Sequence, residues 1–420
     1  MFKGIKRREL IFLILLSAIA LTVRFYNYQN RLIFGPEQAM SLITTGQMIK
    51  EKPSLLGEAY IQRTTSSGLF LFHSALFNYS LIPLELIFRF DPLPITIFFT
   101  FLNFFTGFLI YFFVKKITNP VVGWFSTFLF LFNAKMIHHS LFVWTLNYLP
   151  LIGLLSLWQM WILFKKRKAL LPILFLGILS GVGFGLQYVY AISAFLIFLY
   201  ILLFSKKKIL GVVLYFLGAA IGDLPMILFD IKHNFYHLNS LYQYFLDSQS
   251  HKVAAFYTYY QFLNFWPLFA IVAGLLLWMI FKRNKIVVVA LLLGYLFFNL
   301  VSPFTRIFSG GLKPEEVTLA DTKKVASLIA KTNPPTKFNV AVLLDFDTRA
   351  NPLRYILTYQ HNLKPQPVEN YNDIDALYVL SLKDYDMQQP RVWELQTYLP
   401  YKINFLDAPT SNHLLYKLTK

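Results

Sequence analysis

The chain contains no cysteine. That excludes disulfides, thiolate nucleophiles and cysteine–metal centres. Charge is scarce too. Only 14% of the 420 residues are Asp, Glu, Lys or Arg, against about 25% in soluble domains. Acids are the rarer sign, 21 against 39 basic residues. No glycine-rich phosphate loop and no metal-ligand spacing occurs. An internal repeat is also missing, which argues against the paired halves of many transporters.

Apolar residues are what the chain has in quantity. They make up 56% of it, with 44 phenylalanines. Runs long enough to cross a bilayer recur through the first three quarters, so the sequence reads as a polytopic α-helical membrane protein. The first run, LIFLILLSAIALTV, follows Lys3, Lys6, Arg7 and Arg8 and is not followed by a small-residue cleavage site. It reads as a retained anchor helix. A net charge of +18 does not point to nucleic acid, because the lysines sit in short clusters between apolar runs.

Those clusters set the expected threading. Lys115 with Lys116, KKRK at 165–168, KKK at 206–208 and KRNK at 282–285 should be cytoplasmic, with the N-terminus. About nine spans satisfy this: 9–27, 96–114, 120–137, 145–164, 169–186, 188–204, 209–228, 263–281 and 286–305. The stretch 67–88 is apolar enough to span, yet a span there would flip every later cluster. It is expected to lie on or dip into the outer leaflet, broken by His73, Ser74 and Asn78. The outer face then carries the first loop (28–95), the 138–147 and 229–262 loops, and the tail.

After Arg306 the character changes. An amphipathic helix is expected at 315–331, strands in KFNVAVLLD and IDALYVLS, a helix in ANPLRYILTYQ and a last strand in HLLYKL. The expected division is a membrane unit, 1–306, and a small extracytoplasmic α/β domain, 307–420.

Glu37 stands just past the first span, in FGPEQAM. On position alone it is a helix-starting glutamate that suits the helix dipole. Further patterns accompany it. RFYNYQNR ends the first span, and AYIQRTTSSGLFLF (59–72) carries Arg63. HHSLFVWTLNYLPL covers 138–151, GVGFGLQYVYA 181–191 and DLPMILFDIKHNF 223–235. In this order the motifs resemble the C-type glycosyltransferase superfamily (GT-C). The nearest branch is glycosyltransferase family 39, with its protein O-mannosyltransferases and bacterial aminoarabinose transferases. That branch opens its first outer loop with an Asp-Glu-Ala type motif. Here Glu37, Gln38 and Ala39 take those places, so the second acid is an amide.

The resemblance implies a GT-C fold and transfer of a hexosyl or pentosyl group from a polyprenyl-phosphate donor to an outer-face acceptor at the plasma membrane. Protein, lipid and glycan acceptors stay open. Glu37 would be the general base, and Arg63, Lys232 and His233 would hold the donor phosphate. Gln38, Arg24, Asp223 and Asp230 are supporting candidates, with Arg24 expected to pair with Glu37 or another outer acid. No cofactor is expected; a divalent metal stays open, unsupported by spacing, and the amide at Gln38 argues mildly against it. The 67–88 helix and the aromatic stretch 256–266 would line a lipid groove. Without the resemblance, Arg63 reads as a snorkelling cation and Lys232 and His233 as interfacial charge near Asp230. His138 and His139 read as an interfacial pair, and the glycines at 181, 183 and 185 as helix packing. Competing functions are a transporter or lipid flippase, and a polysaccharide polymerase or ligase of another fold.

Overall fold

The computed structural model describes residues 7–250, 259–308, 313–344 and 348–420, without the side chains of Arg8, Ile61, Gln62 and Arg63. Lys3, Lys6 and the first part of the 256–266 stretch lie outside the described residues.

The chain opens with helix α1 (Arg7–Phe25), one short turn α2 (Tyr28–Arg31) and α3 (Pro36–Lys50). A hairpin follows, β1 (Leu56–Thr64) and β2 (Phe70–Ser74), and then α4 (Leu76–Ile87). The apolar helices come next: α5 (Pro92–Ile117), α6 (Pro120–Leu131), α7 (Ala134–His139), α8 (Leu149–Lys165), α9 (Leu171–Leu186) and α10 (Ala191–Phe204). After them run α11 (Lys208–Gly222), α12 (Leu224–Lys232), α13 (Tyr236–Gln249), α14 (Trp266–Arg283) and α15 (Lys285–Leu300). The last part holds α16 (Leu319–Lys331), β3 (Phe338–Leu343), α17 (Asn351–Gln360), β4 (Ala376–Leu382), α18 (Trp393–Tyr398), β5 (Lys402–Asp407) and β6 (His413–Thr419).

Among the described residues, three helical stretches are long and apolar enough to cross a membrane: Pro92–Ile117, Thr145–Lys165 and Tyr259–Arg283. A fourth would be α11 with α12, which bend by 84° at Asp223. The expected straight span 209–228 is therefore broken. Pro225 lies in the first turn of α12, where a missing N–H costs little. The span expected at 120–137 is also two helices. Asn133 separates them, and its Oδ1 accepts from Lys135 N and Met136 N to start α7.

The stretch 67–88 is not one helix. Its first part is β2, and α4 has 12 residues. That gives α4 a length of about 18 Å, well short of a hydrocarbon core of about 30 Å.

The tail strands form one sheet in the order β3-β4-β6-β5. β3 and β4 are parallel with α17 between them in sequence, and β6 is antiparallel to both its neighbours. Strands fall in KFNVAVLLD, IDALYVLS and HLLYKL, where the short apolar runs placed them, and β5 adds an edge. α16 carries a capping box, Thr318 with Asp321, which fixes its start. This sheet unit packs on the first loop. Leu319 N donates to Leu32 O, Lys323 Nζ meets Asp91 at 2.7 Å, and Tyr359 stacks on Phe90 at 4.9 Å.

Candidate functional site

Gly35 is extended and Pro36 opens α3, so Glu37 falls in the first turn, exposed. Its neighbour Gln38 is buried. Gln38 Nε2 donates to Ile33 O at 2.9 Å, and Val143 N donates to Gln38 Oε1 at 3.1 Å. A carboxylate could not donate to the Ile33 carbonyl. This double use accounts for an amide at the second position.

Glu37, Ser41 and Thr45 are spaced by four and share one face of α3. That face meets Asn78 of α4. Asn78 Nδ2 donates to Ser41 O (3.2 Å), Thr45 Oγ1 (3.2 Å) and Glu58 Oε1 (3.1 Å). Glu58 belongs to β1, and burial pushes its carboxyl above the ordinary range, against its hydrogen bonds. One side chain thus ties α3, α4 and β1 together.

β1 is irregular. Ala59 pairs with Phe72 and Thr64 with Phe70, so five steps along β1 oppose two along β2. Arg63 lies in this bulge. Bulges re-aim side chains and concentrate beside active sites. The Arg63 side chain itself is outside those described.

The hairpin is held on its other side by α9 and the turn after it, and by α12 and α13. Tyr60 stacks on His73 at 3.7 Å and donates to Gln187 Oε1 at 3.2 Å. The Tyr188 hydroxyl bonds to Phe72 O and lies 2.7 Å from His237 Nε2. Asp230 accepts from His237 N at 2.8 Å and from Leu238 N, so it caps α13. Its Oδ2 is 3.6 Å from His237 Nδ1. Burial holds the His237 imidazole below its ordinary range, against the pull of Asp230.

α12 packs against β1 and α13 against β2. Lys232 and His233, exposed at the end of α12, thus belong to the same corner as the bulge. His233 stacks on Phe229 at 4.2 Å, with Nδ1 at 2.9 Å from Phe229 O. Among the described residues no hydrogen bond or ion pair joins Glu37 to Lys232 or His233; the link between their helices runs through Asn78, Glu58 and β1. Asp223 is buried in the break before α12, and among the described residues its Oδ1 has no hydrogen-bond partner. Gly185 makes this fit, since a Cβ there would lie 2.5 Å from Asp223 Oδ1.

Arg24 is a correction. It is fully buried and donates to Asn103 Oδ1 at 2.9 Å and Ala20 O at 3.2 Å, not to Glu37. Arg31 takes the loop-side role, donating to the carbonyls of Val23, Arg24, Tyr26 and Thr305. His139 is buried among Trp144, Tyr259 and Tyr260, and burial lowers it to about 3, so it is neutral. Gly181 abuts the Ala219 carbonyl, a helix-packing role between α9 and α11.

Sequence reading missed Glu58, Tyr188, His237 and Asp247. Glu58 offered one signal, an acid in a loop close to Arg63.

No family model and no curated protein matches the sequence. Solved structures match its fold. ArnT from Cupriavidus metallidurans in the apo state superposes with a TM-score of 0.56 at 10% identity, covering 97% of this chain and 98% of that one. The same protein bound to undecaprenyl phosphate gives a TM-score of 0.59 at 11% identity, covering 96% and 97%. The resemblance to C-type glycosyltransferases read from the sequence is borne out in the fold, over nearly the whole chain.

Proposed function

We propose that the chain is a membrane glycosyltransferase that moves a sugar from a polyprenyl-phosphate carrier to an acceptor on the outer face of the plasma membrane. The observation that supports this reading is the match, over nearly the whole chain, to the fold of a solved ArnT structure bound to undecaprenyl phosphate. The proposed threading has nine spans, the N-terminus inside, and residues 307–420 as an outer α/β domain braced against the first loop.

The roles follow from charge flow. The acceptor oxygen attacks the anomeric carbon, the bond from that carbon to the carrier phosphate breaks, and the acceptor proton goes to a base. Glu37 is that base, on an accessible first turn where the helix dipole favours its anionic form. The departing polyprenyl phosphate gains charge as the bond lengthens, and fixed cations stabilise that state more than the ground state. Arg63 in the bulge and Lys232 at the end of the adjoining helix supply most of that charge, and His233 beside them contributes less. Asp223 and Asp230 act indirectly, through the α11–α12 break and the α13 cap.

The test is a transfer assay with a panel of polyprenyl-phosphate sugars on the full chain. Glu37→Gln should abolish transfer, and Glu37→Asp should keep part of it. Full activity in the amide variant removes Glu37 from the chemistry. No transfer by wild type from any sugar carrier removes the reading.

A further inference from the structure

Helix α13 is tied to the hairpin at two places. At its start the tie runs through Tyr188, which meets His237 and bonds to Phe72 O in β2. Near its end, Asp247 takes both polar groups of Ser66 in the hairpin turn. Ser66 N donates to Asp247 Oδ2 at 2.7 Å and Ser66 Oγ to Oδ1 at 2.9 Å. Ser67 Oγ adds a bond to Gln243 Oε1 at 3.2 Å. His237 and Asp247 are ten residues apart, about 15 Å along a helix axis. The helix therefore runs along the hairpin as far as its turn.

The two faces of α13 differ. His237, Ser240 and Asp247 are buried toward the hairpin, while Leu238, Tyr242, Phe245 and Leu246 are exposed. A helix with a bare apolar stripe and a gripped polar face suits a membrane interface. The stripe continues from Leu228 and Ile231 of α12, which are exposed as well.

We propose that α13 is a splint that fixes the β1–β2 hairpin at the membrane surface, with Asp247 as the positioning residue for its turn. The splint sets the height of the bulge that carries Arg63 above the lipid, where a polyprenyl phosphate presents its headgroup. This rests on the glycosyltransferase reading.

The test uses the full chain in lipid nanodiscs with undecaprenyl phosphate as the probe. Backbone hydrogen exchange across the hairpin, probe affinity and the thermal midpoint are measured for wild type, Asp247→Ala and Asp247→Asn. The alanine variant should speed exchange at the turn and weaken probe binding about tenfold. The asparagine variant should restore both, because an amide can accept from Ser66 N and donate to Ser66 Oγ. Unchanged exchange in Asp247→Ala overturns the splint. Faster exchange with unchanged probe affinity overturns the positioning role alone. A wild-type chain that does not bind the probe overturns the glycosyltransferase reading, and the positioning role with it.

Discussion

Tyr355 donates its hydroxyl to Glu85 Oε1 at 3.1 Å, joining the tail sheet unit to the first loop across 270 residues. Glu85 is buried, and burial pushes its carboxyl from 4.5 up to about 8, with Lys50 pulling the other way. The group is thus protonated when folded at neutral pH and ionised when unfolded. Between about pH 4.5 and 8 the folded state holds the extra proton, so stability falls as pH rises through that window. Glu85→Gln should flatten this slope. At pH 9 the variant should melt above wild type by about 1 kcal/mol, roughly one degree for a chain of this length. Melting midpoints from pH 5 to 9 check it; parallel slopes for the two proteins refute the protonated Glu85.

Asn78 offers a second test, since it is fully buried and its amide serves α3, α4 and β1 at once. Asn78→Ala leaves Glu58 and the Ser41 carbonyl without that donor. The expected cost is about 2 kcal/mol. Because the junction lies between the Glu37 helix and the Arg63 strand, transfer activity should fall further than the loss of folded protein explains. Activity per folded molecule, with the folded fraction read by thermal melts, separates the two.

Asp223 and Gly185 can be probed together. A methyl at Gly185 would lie 2.5 Å from Asp223 Oδ1 and 3.0 Å from Leu76 Cδ1. Gly185→Ala should cost about 1–3 kcal/mol through overpacking. In an Asp223→Ala background most of that cost should vanish, because the carboxylate is the nearest obstacle. A double-mutant cycle on melting midpoints reads the coupling. Simple additivity means the clash is absorbed elsewhere.

How far these features were legible in the sequence depends on the range of the contacts. The apolar runs and lysine clusters located helices well, because hydrophobicity is a local property. The tail strands were legible for the same reason, as short apolar runs. The hairpin was not. FLFHS is as apolar as a span, and LGEAYIQRT lacks the β-branched alternation of a regular strand, since β1 is bulged. Glu37, Arg63 and Lys232 came from resemblance in motif order. Asp247 could not, because Ser66 lies 181 residues away. Nor could the role of Gln38, whose partner Val143 is 105 residues on. Arg24 misled for a related reason: its partner Asn103 sits in another apolar helix, where nothing local announces a buried hydrogen bond.

Lys232 and His233 are adjacent, both exposed and both candidates for the donor phosphate, yet they differ in what holds them. His233 is engaged by its own helix, its ring on Phe229 and Nδ1 against the Phe229 carbonyl. Its imidazole has little freedom to turn toward a ligand. Lys232 ends α12, the helix that packs against β1, on a flexible stem. An exposed cation of this kind acts through screened Coulomb attraction, so its effect should depend on salt. Lys232→Glu should weaken undecaprenyl phosphate binding about tenfold at low ionic strength, near 1.4 kcal/mol. At high salt the deficit should shrink. His233→Ala should change affinity less than about twofold, or 0.4 kcal/mol. Binding isotherms at two salt concentrations distinguish these cases. A larger loss for the histidine variant would make it the phosphate contact and reduce the lysine to surface charge.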